Sequence, residues 1–182
     1  MKRRELIKLV TLATGSLLSV PLMNSLFVSC KDVPLKNDGD YILQFFSEED
    51  FLFVKTLIDI ILPKTDSPSA TDVGVHQTID TMVGTVYEPS DRVRYKQRFS
   101  VLKQYLKTSS GNQLETLQSL SKSTRENDEE AKIALLELKQ QTVAYYLSTE
   151  EIATKFLNYL PIPGKYEPCI SLDEVNGKAW AL

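Results

Sequence analysis

From Ser47 to Phe156 apolar residues return every three or four positions, and the recurrence breaks at Pro63, at Pro89 and at Gly111-Asn112. That period marks helices that bury one face, so the middle of the chain is committed to an all-α fold. The first helix is expected at Ser47, an N-cap with Asp50 three residues on and Glu48 and Glu49 at the positive helix end. Phe51, Val54, Leu57, Ile58, Ile61 and Leu62 form its buried face, and Pro63 stops it. After the turn-rich stretch PKTDSPSAT, Asp72 is expected to cap a second helix carrying Val75, Ile79, Met82, Val83 and Val86. Pro89, Ser90 and Asp91 open a third, with Val93, Phe99, Leu102, Tyr105 and Leu106 at helical spacing. Leu114, Leu117 and Leu120 mark a short fourth. The polar run Ser121–Asp128 leads into a fifth, with Ile133, Leu135, Leu136, Leu138, Val143, Tyr146 and Leu147. Thr149 is placed to cap a last one through Phe156. Residues 47–156 therefore predict a small bundle of about five to six helices.

The flanks follow other rules. Lys2, Arg3, Arg4 and Lys8 precede an apolar run from Leu9 to Val28, the layout of an export signal over residues 1–29. Arg3 and Arg4, followed by Leu6, Ile7 and Lys8, match the twin-arginine pattern, which carries folded cargo; an ordinary secretory signal with two arginines is the alternative. The run is long enough to span a bilayer, but Gly15, Ser16, Ser19, Pro21, Asn24 and Ser25 make it a poor permanent anchor. Leu26-Phe27-Val28-Ser29-Cys30 resembles a lipobox with Phe27 out of pattern, so both lipidation at Cys30 and simple cleavage fit. Either route places the mature protein outside the cytoplasm. Residues 30–46 read as a polar tether ending in YILQFF. Residues 157–182 read as an extended arm without helical period, rich in proline and aromatic residues and holding the chain's single tryptophan, Trp180. Such an arm drapes over its own domain or over a partner.

Composition excludes several chemistries. Residues 1–29 hold four basic and one acidic side chain, so of a formal charge of −3 for the whole chain, residues 30–182 carry −6. An acidic domain without a basic tract is unsuited to nucleic acid. With two cysteines, Cys30 and Cys169, and one histidine, His76, there is no Cys-x-x-Cys, no haem-attachment motif and no zinc or iron–sulfur ligand spacing. No Gly-x-Gly-x-x-Gly or P-loop is present, and Glu126–Glu130 lacks the loop spacing of an EF-hand. No cofactor or metal site is therefore expected in this chain. His76 and Asp80 are four residues apart on one helix face, with Asp66 and Asp72 upstream. A base–acid pair is one reading; a histidine satisfied near a helix start is the plainer one. Cys169, if Cys30 carries lipid, is left for a second chain or as a free thiol; a Cys30–Cys169 bond competes.

The stretch PKTDSPSATDVGVHQTID resembles the gluconate 2-dehydrogenase subunit 3 family, in which an apolar helix ends in Ile-Pro-x-Thr-Asp-x-Pro-Gly-Ala, followed by Gly-Val and Ile-Asp. Pro63, Thr65, Asp66, Pro68, Ala70, Gly74, Val75, Ile79 and Asp80 match, while Leu62 and Ser69 depart mildly from the pattern. The end of the chain is similar too: Tyr159-Leu160-Pro161-Ile162-Pro163-Gly164-x-Tyr166-x-x-Cys169, then Gly177-Lys178-Ala179-Trp180. The resemblance implies a non-catalytic small subunit and export escort. Its implied partner is a large FAD-dependent dehydrogenase of the glucose–methanol–choline type, with a cytochrome c subunit in some complexes. It implies a periplasmic location, with membrane contact only through the signal or a lipid. It also makes Pro63, Thr65, Asp66, Pro68, Tyr166, Cys169 and Trp180 candidates for the partner interface, Cys169 through a disulfide to the large subunit. A free-standing exported lipoprotein is the competing expectation, and an independent enzyme using Asp66, Asp72 and His76 a third.

Overall fold

The computed structural model describes residues 41–109, 111–162, 164–165 and 169–181. The expected leader, with Arg3, Arg4 and Cys30, lies outside them, as does Tyr166. The described residues form six α-helices: α1 (Glu48–Ile61), α2 (Val75–Thr81), α3 (Pro89–Thr108), α4 (Gln113–Lys122), α5 (Glu129–Ser148) and α6 (Glu150–Lys155). No strand occurs among them, so the all-α expectation holds.

The first start signal works as its chemistry predicts. Ser47 Oγ accepts from the Asp50 amide at 3.2 Å and donates to Asp50 Oδ2 at 2.9 Å, a reciprocal cap. Asn112 does the same service for α4, accepting from Leu114 N at 3.1 Å. Two expected caps differ. Asp72 does not cap α2: the chain first passes through Gly74 in the left-handed region, φ 75°, and the helix starts one residue later. Glycine enters that region without the Cβ clash other residues suffer. Asp72 instead accepts from Ser69 N at 3.1 Å, three residues back. Thr149 directs its hydroxyl to the Tyr146 carbonyl at 2.8 Å and makes no side-chain cap on α6.

Helix α2 runs on into a π-helical turn, Met82–Val86, closed by Tyr87 N to Met82 O at 3.2 Å. A 3₁₀ turn, Glu126–Asp128, leads into α5. Helix α5 is the hub, packing against each of the other five. Its buried set is correspondingly broad: Ala131, Ala134, Leu135, Leu138, Gln141, Thr142 and Tyr146. Small Ala131 and Ala134 let neighbours come close. Leu136 and Val143, expected inside, are exposed. On α3 the buried residues are Tyr95, Phe99, Leu102 and Leu106, and Val93 faces out. Tyr95 displaces Val93 because its hydroxyl has a partner indoors: it donates to Gln141 Oε1 at 3.0 Å, while Gln141 Nε2 donates to Tyr87 at 2.8 Å. Burial drives the Tyr95 phenol far above its ordinary range.

The expected tether also differs at its end. Tyr41–Phe46 packs onto the helices, with Phe46 buried in the core. The non-helical C-terminal segment returns on itself. Asn158 N donates to Ala179 O at 2.8 Å and Ala181 N to Asn158 O at 2.9 Å, a parallel bridge between Asn158 and Trp180. The Asn158 amide adds bonds to Val175 O and Lys178 O at 3.0 and 2.8 Å. Asn176 and Gly177, with φ of 51° and 69°, supply the reversal.

Candidate functional site

Two regions carry the residues singled out by the sequence, the 63–80 loop and the C-terminal arm. The loop is held from three sides. Asp59 of α1 accepts from the Thr71 amide and hydroxyl at 3.1 and 2.7 Å. Tyr146 of α5 donates to the Pro68 carbonyl at 2.7 Å, with Ser67 Oγ 3.0 Å from the same hydroxyl. Ala70 N donates to Leu62 O at 3.1 Å, closing the loop at its base. Asp72 pairs with Lys64 at 3.3 Å. The Ser69 amide bond first, and Lys64 second, hold the Asp72 carboxyl below its usual range. Pro63, Thr65 and Asp66 are thereby presented to solvent on a pinned frame, and Pro68 is half-buried beneath them.

Beyond the loop, α2 turns its polar residues inward. His76 is buried, its ring 5.2 Å from that of Phe51. Asp80 is 0 % exposed, and its two oxygens are taken by the N-terminal segment. Oδ2 accepts from Gln44 N at 2.6 Å, and Oδ1 accepts from Phe45 N and Phe46 N at 3.0 and 2.7 Å. Three successive amides on one carboxylate form an anion nest, with charge-assisted bonds. The Tyr41 hydroxyl lies 2.9 Å from Asp80 Oδ2, 3.0 Å from the Gln77 carbonyl and 2.7 Å from the Thr81 hydroxyl. Burial pushes this phenol up to about 12; the Thr81 bond opposes the shift and Asp80 adds to it. The arrangement accounts for the buried aspartate as a structural anchor for residues 41–46. Asp66 and Asp72 stand at the surface, so the loop does not gather Asp66, Asp72 and His76 into one solvent-facing cluster.

The importance of Asp80 and of Tyr41–Phe46 escaped the sequence reading. Its signal was available: an acidic residue beside Ile79 on a buried stripe must find donors, and the apolar YILQFF sits at the end of an otherwise polar tether.

The arm shows the opposite character. Ile162 is 82 % exposed, Leu172 75 % and Trp180 52 %, with Tyr159, Leu160 and Ile170 exposed beside them in sequence. Cys169 is exposed and carries a free thiol. Val175 alone among these apolar residues is buried. Single exposed apolar side chains are ordinary on protein surfaces; here several fall on one short segment. Among the described residues no group of three His, Cys, Asp or Glu is placed to hold a metal, and no helix is long and apolar enough to cross a membrane. A cleft of about 190 Å³ opens between α1, α4 and α5, lined by Ile60, Ile61, Leu117, Leu135 and Lys139 among others. It is smaller than the ~300 Å³ at which small-molecule sites usually begin.

Comparison with known proteins brings one match. The profile of a family described as gluconate 2-dehydrogenase subunit 3 covers residues 48–164. No curated protein and no solved structure matches the chain.

Proposed function

Because the chain belongs to the gluconate 2-dehydrogenase subunit 3 family, we propose that it is the small, non-catalytic subunit and export escort of a large FAD-dependent dehydrogenase of the glucose–methanol–choline type. The family match over residues 48–164 carries the reading. The residues support it. The pinned loop presents Pro63, Thr65 and Asp66, and the arm offers an apolar surface that its own fold leaves open. Both suit a permanent protein partner, since subunit interfaces bury aromatic and aliphatic anchors at their centre.

In this reading the flavin belongs to the partner, substrate choice belongs to the partner's pocket, and a cytochrome c subunit receives the electrons where one is present. Arg3 and Arg4 direct the folded complex through the twin-arginine route to the periplasm, and Cys30 marks the end of the signal, where either lipid attachment or simple cleavage follows. Cys169, an exposed thiol, is the candidate for a disulfide with the large subunit, with a free thiol as the alternative.

The test is capture of the full chain, tagged, from its native host, with an absorbance spectrum of the eluate. Co-elution of a large chain with flavin bands is the expected result. A colourless, solitary protein after mild extraction overturns the escort reading and favours a free-standing exported lipoprotein.

A further inference from the structure

Most of the polar attachments of Tyr41–Phe46 to the helices converge on one side chain, Asp80. Gln44, Phe45 and Phe46 each donate a backbone N–H to Asp80, and the Tyr41 hydroxyl closes the set. The acceptor is 34 to 36 residues away in sequence from those three amides, on a helix that must itself be folded before the carboxylate is in place. The apolar half of the docking is equally remote. The Phe46 ring lies 5.2 Å from Phe99 and 6.2 Å from Tyr95, and Phe45 lies 5.8 Å from Tyr95, all on α3. The strap also crosses the π-helical turn at Gly84, where an added Cβ would come within 2.6 Å of Gln44 Cβ and 2.9 Å of its carbonyl group. Docking therefore requires α2, the π-helical turn and α3 to be packed together.

We propose that Tyr41–Phe46 is a latch that closes only on a folded body, so that this strap is docked or released according to whether the helices are packed. The device rests, for its consequence, on the twin-arginine reading: that route carries folded cargo, and a strap lying between leader and body is where the folded state is registered. Without the packed body the three amides have only water as acceptor and the two phenylalanines have no slot, so Phe45 and Phe46 stand exposed. With it, the strap supplies donors to Asp80, and Tyr41 also reaches the Gln77 carbonyl and the Thr81 hydroxyl; a buried carboxylate left without donors is costly.

Amide hydrogen exchange on the full chain tests the latch, and export yield in the host tests its consequence. Asp80→Asn keeps the shape and removes the charge. The expected result is a roughly 100-fold rise in exchange at Gln44, Phe45 and Phe46, with α5 amides such as Leu138 changed less than about tenfold, as for a unit that opens alone. Export is expected to fall severalfold. Gly84→Ala crowds Gln44 one turn further along the same helical run, leaving Asp80 itself unchanged, and should give the same selective pattern should Asp80→Asn fail to fold. Exchange that rises equally in strap and α5, or does not rise in the strap, overturns the latch. An open strap with undiminished export overturns its role in export. The paired substitution Arg3→Lys, Arg4→Lys separates the two layers: export unaffected by it sinks the twin-arginine reading, while the exchange pattern still judges the latch.

Discussion

At the scale of single residues, the fold depends on polar groups that have been taken indoors together with their partners. Asp80 is the extreme case, with three amide donors and a phenol around a carboxylate at 0 % exposure. Truncating it leaves those amides facing a void. Asp80→Ala should lower stability by on the order of 3 kcal/mol, read as a lower urea midpoint. Tyr146 is a milder test at the same scale. Its hydroxyl pins Pro68 at 2.7 Å, and Tyr146→Phe removes that bond while keeping the ring. A loss of about 1 kcal/mol is expected, with looser exchange protection in residues 67–71. A loss for Tyr146→Phe as large as that for Asp80→Ala would contradict the ranking of charged over neutral bonds.

At the scale of elements, α3 is a basic helix in an acidic protein, and its charges are matched by neighbours. Lys103 reaches Asp50 at 2.5 Å and Glu49 at 3.0 Å, and Arg98 lies 3.5 Å from Glu130 and 3.8 Å from Glu137. The Lys103 ammonium is raised, by its bond to Asp50 first and Glu49 second. Burial works to raise the Asp50 carboxyl, yet the bonds from Lys103 and Ser47 together hold it below its ordinary 3.8. Hydrogen bonds from Lys103 and Lys107 lower Glu49 from 4.5. The signs define a window. Depressed carboxylates contribute stability that is present above 3.8 and 4.5 and lost as pH falls through their lowered values, whereas the raised lysine contributes below 10.5 and is lost above it. Lys103→Met should therefore flatten the acid limb of a plot of Tm against pH; an unchanged limb would show the clasp to be energetically silent. Apolar packing holds α3 more firmly. Leu102 is fully buried, and Leu102→Ala should cost about 3 kcal/mol by lost transfer and a residual cavity, measured by denaturant titration.

At the scale of the whole molecule, the helices satisfy themselves around α5 and the arm does not. Its hydrogen bonds through Asn158 fix its course, yet Ile162 and Leu172 are largely exposed and Trp180 about half so. Under the proposed escort role, Trp180→Ala combined with Ile162→Ser should weaken capture of the proposed flavoprotein partner by roughly tenfold or more while leaving Tm of the isolated chain within its error. Unchanged capture would move the interface to the Pro63–Pro68 loop.

Much of this protein was legible one residue at a time. Ser47 caps α1, Pro63 ends it, and the spacing of Phe51, Val54, Leu57 and Ile58 names its buried face, because capping and periodicity are local and need no knowledge of what lies opposite. Which of several apolar residues goes inside was decided by packing. Tyr95 is buried and Val93 is not because Gln141 waits across α5, and Asp72 fails to cap α2 because Gly74 turns the chain first. The anchor of Tyr41–Phe46 on Asp80 joins segments more than thirty residues apart. No local pattern specifies such a pairing. A donor and an acceptor distant in sequence meet only once the helices between them have folded, and only the tertiary structure settles where that is.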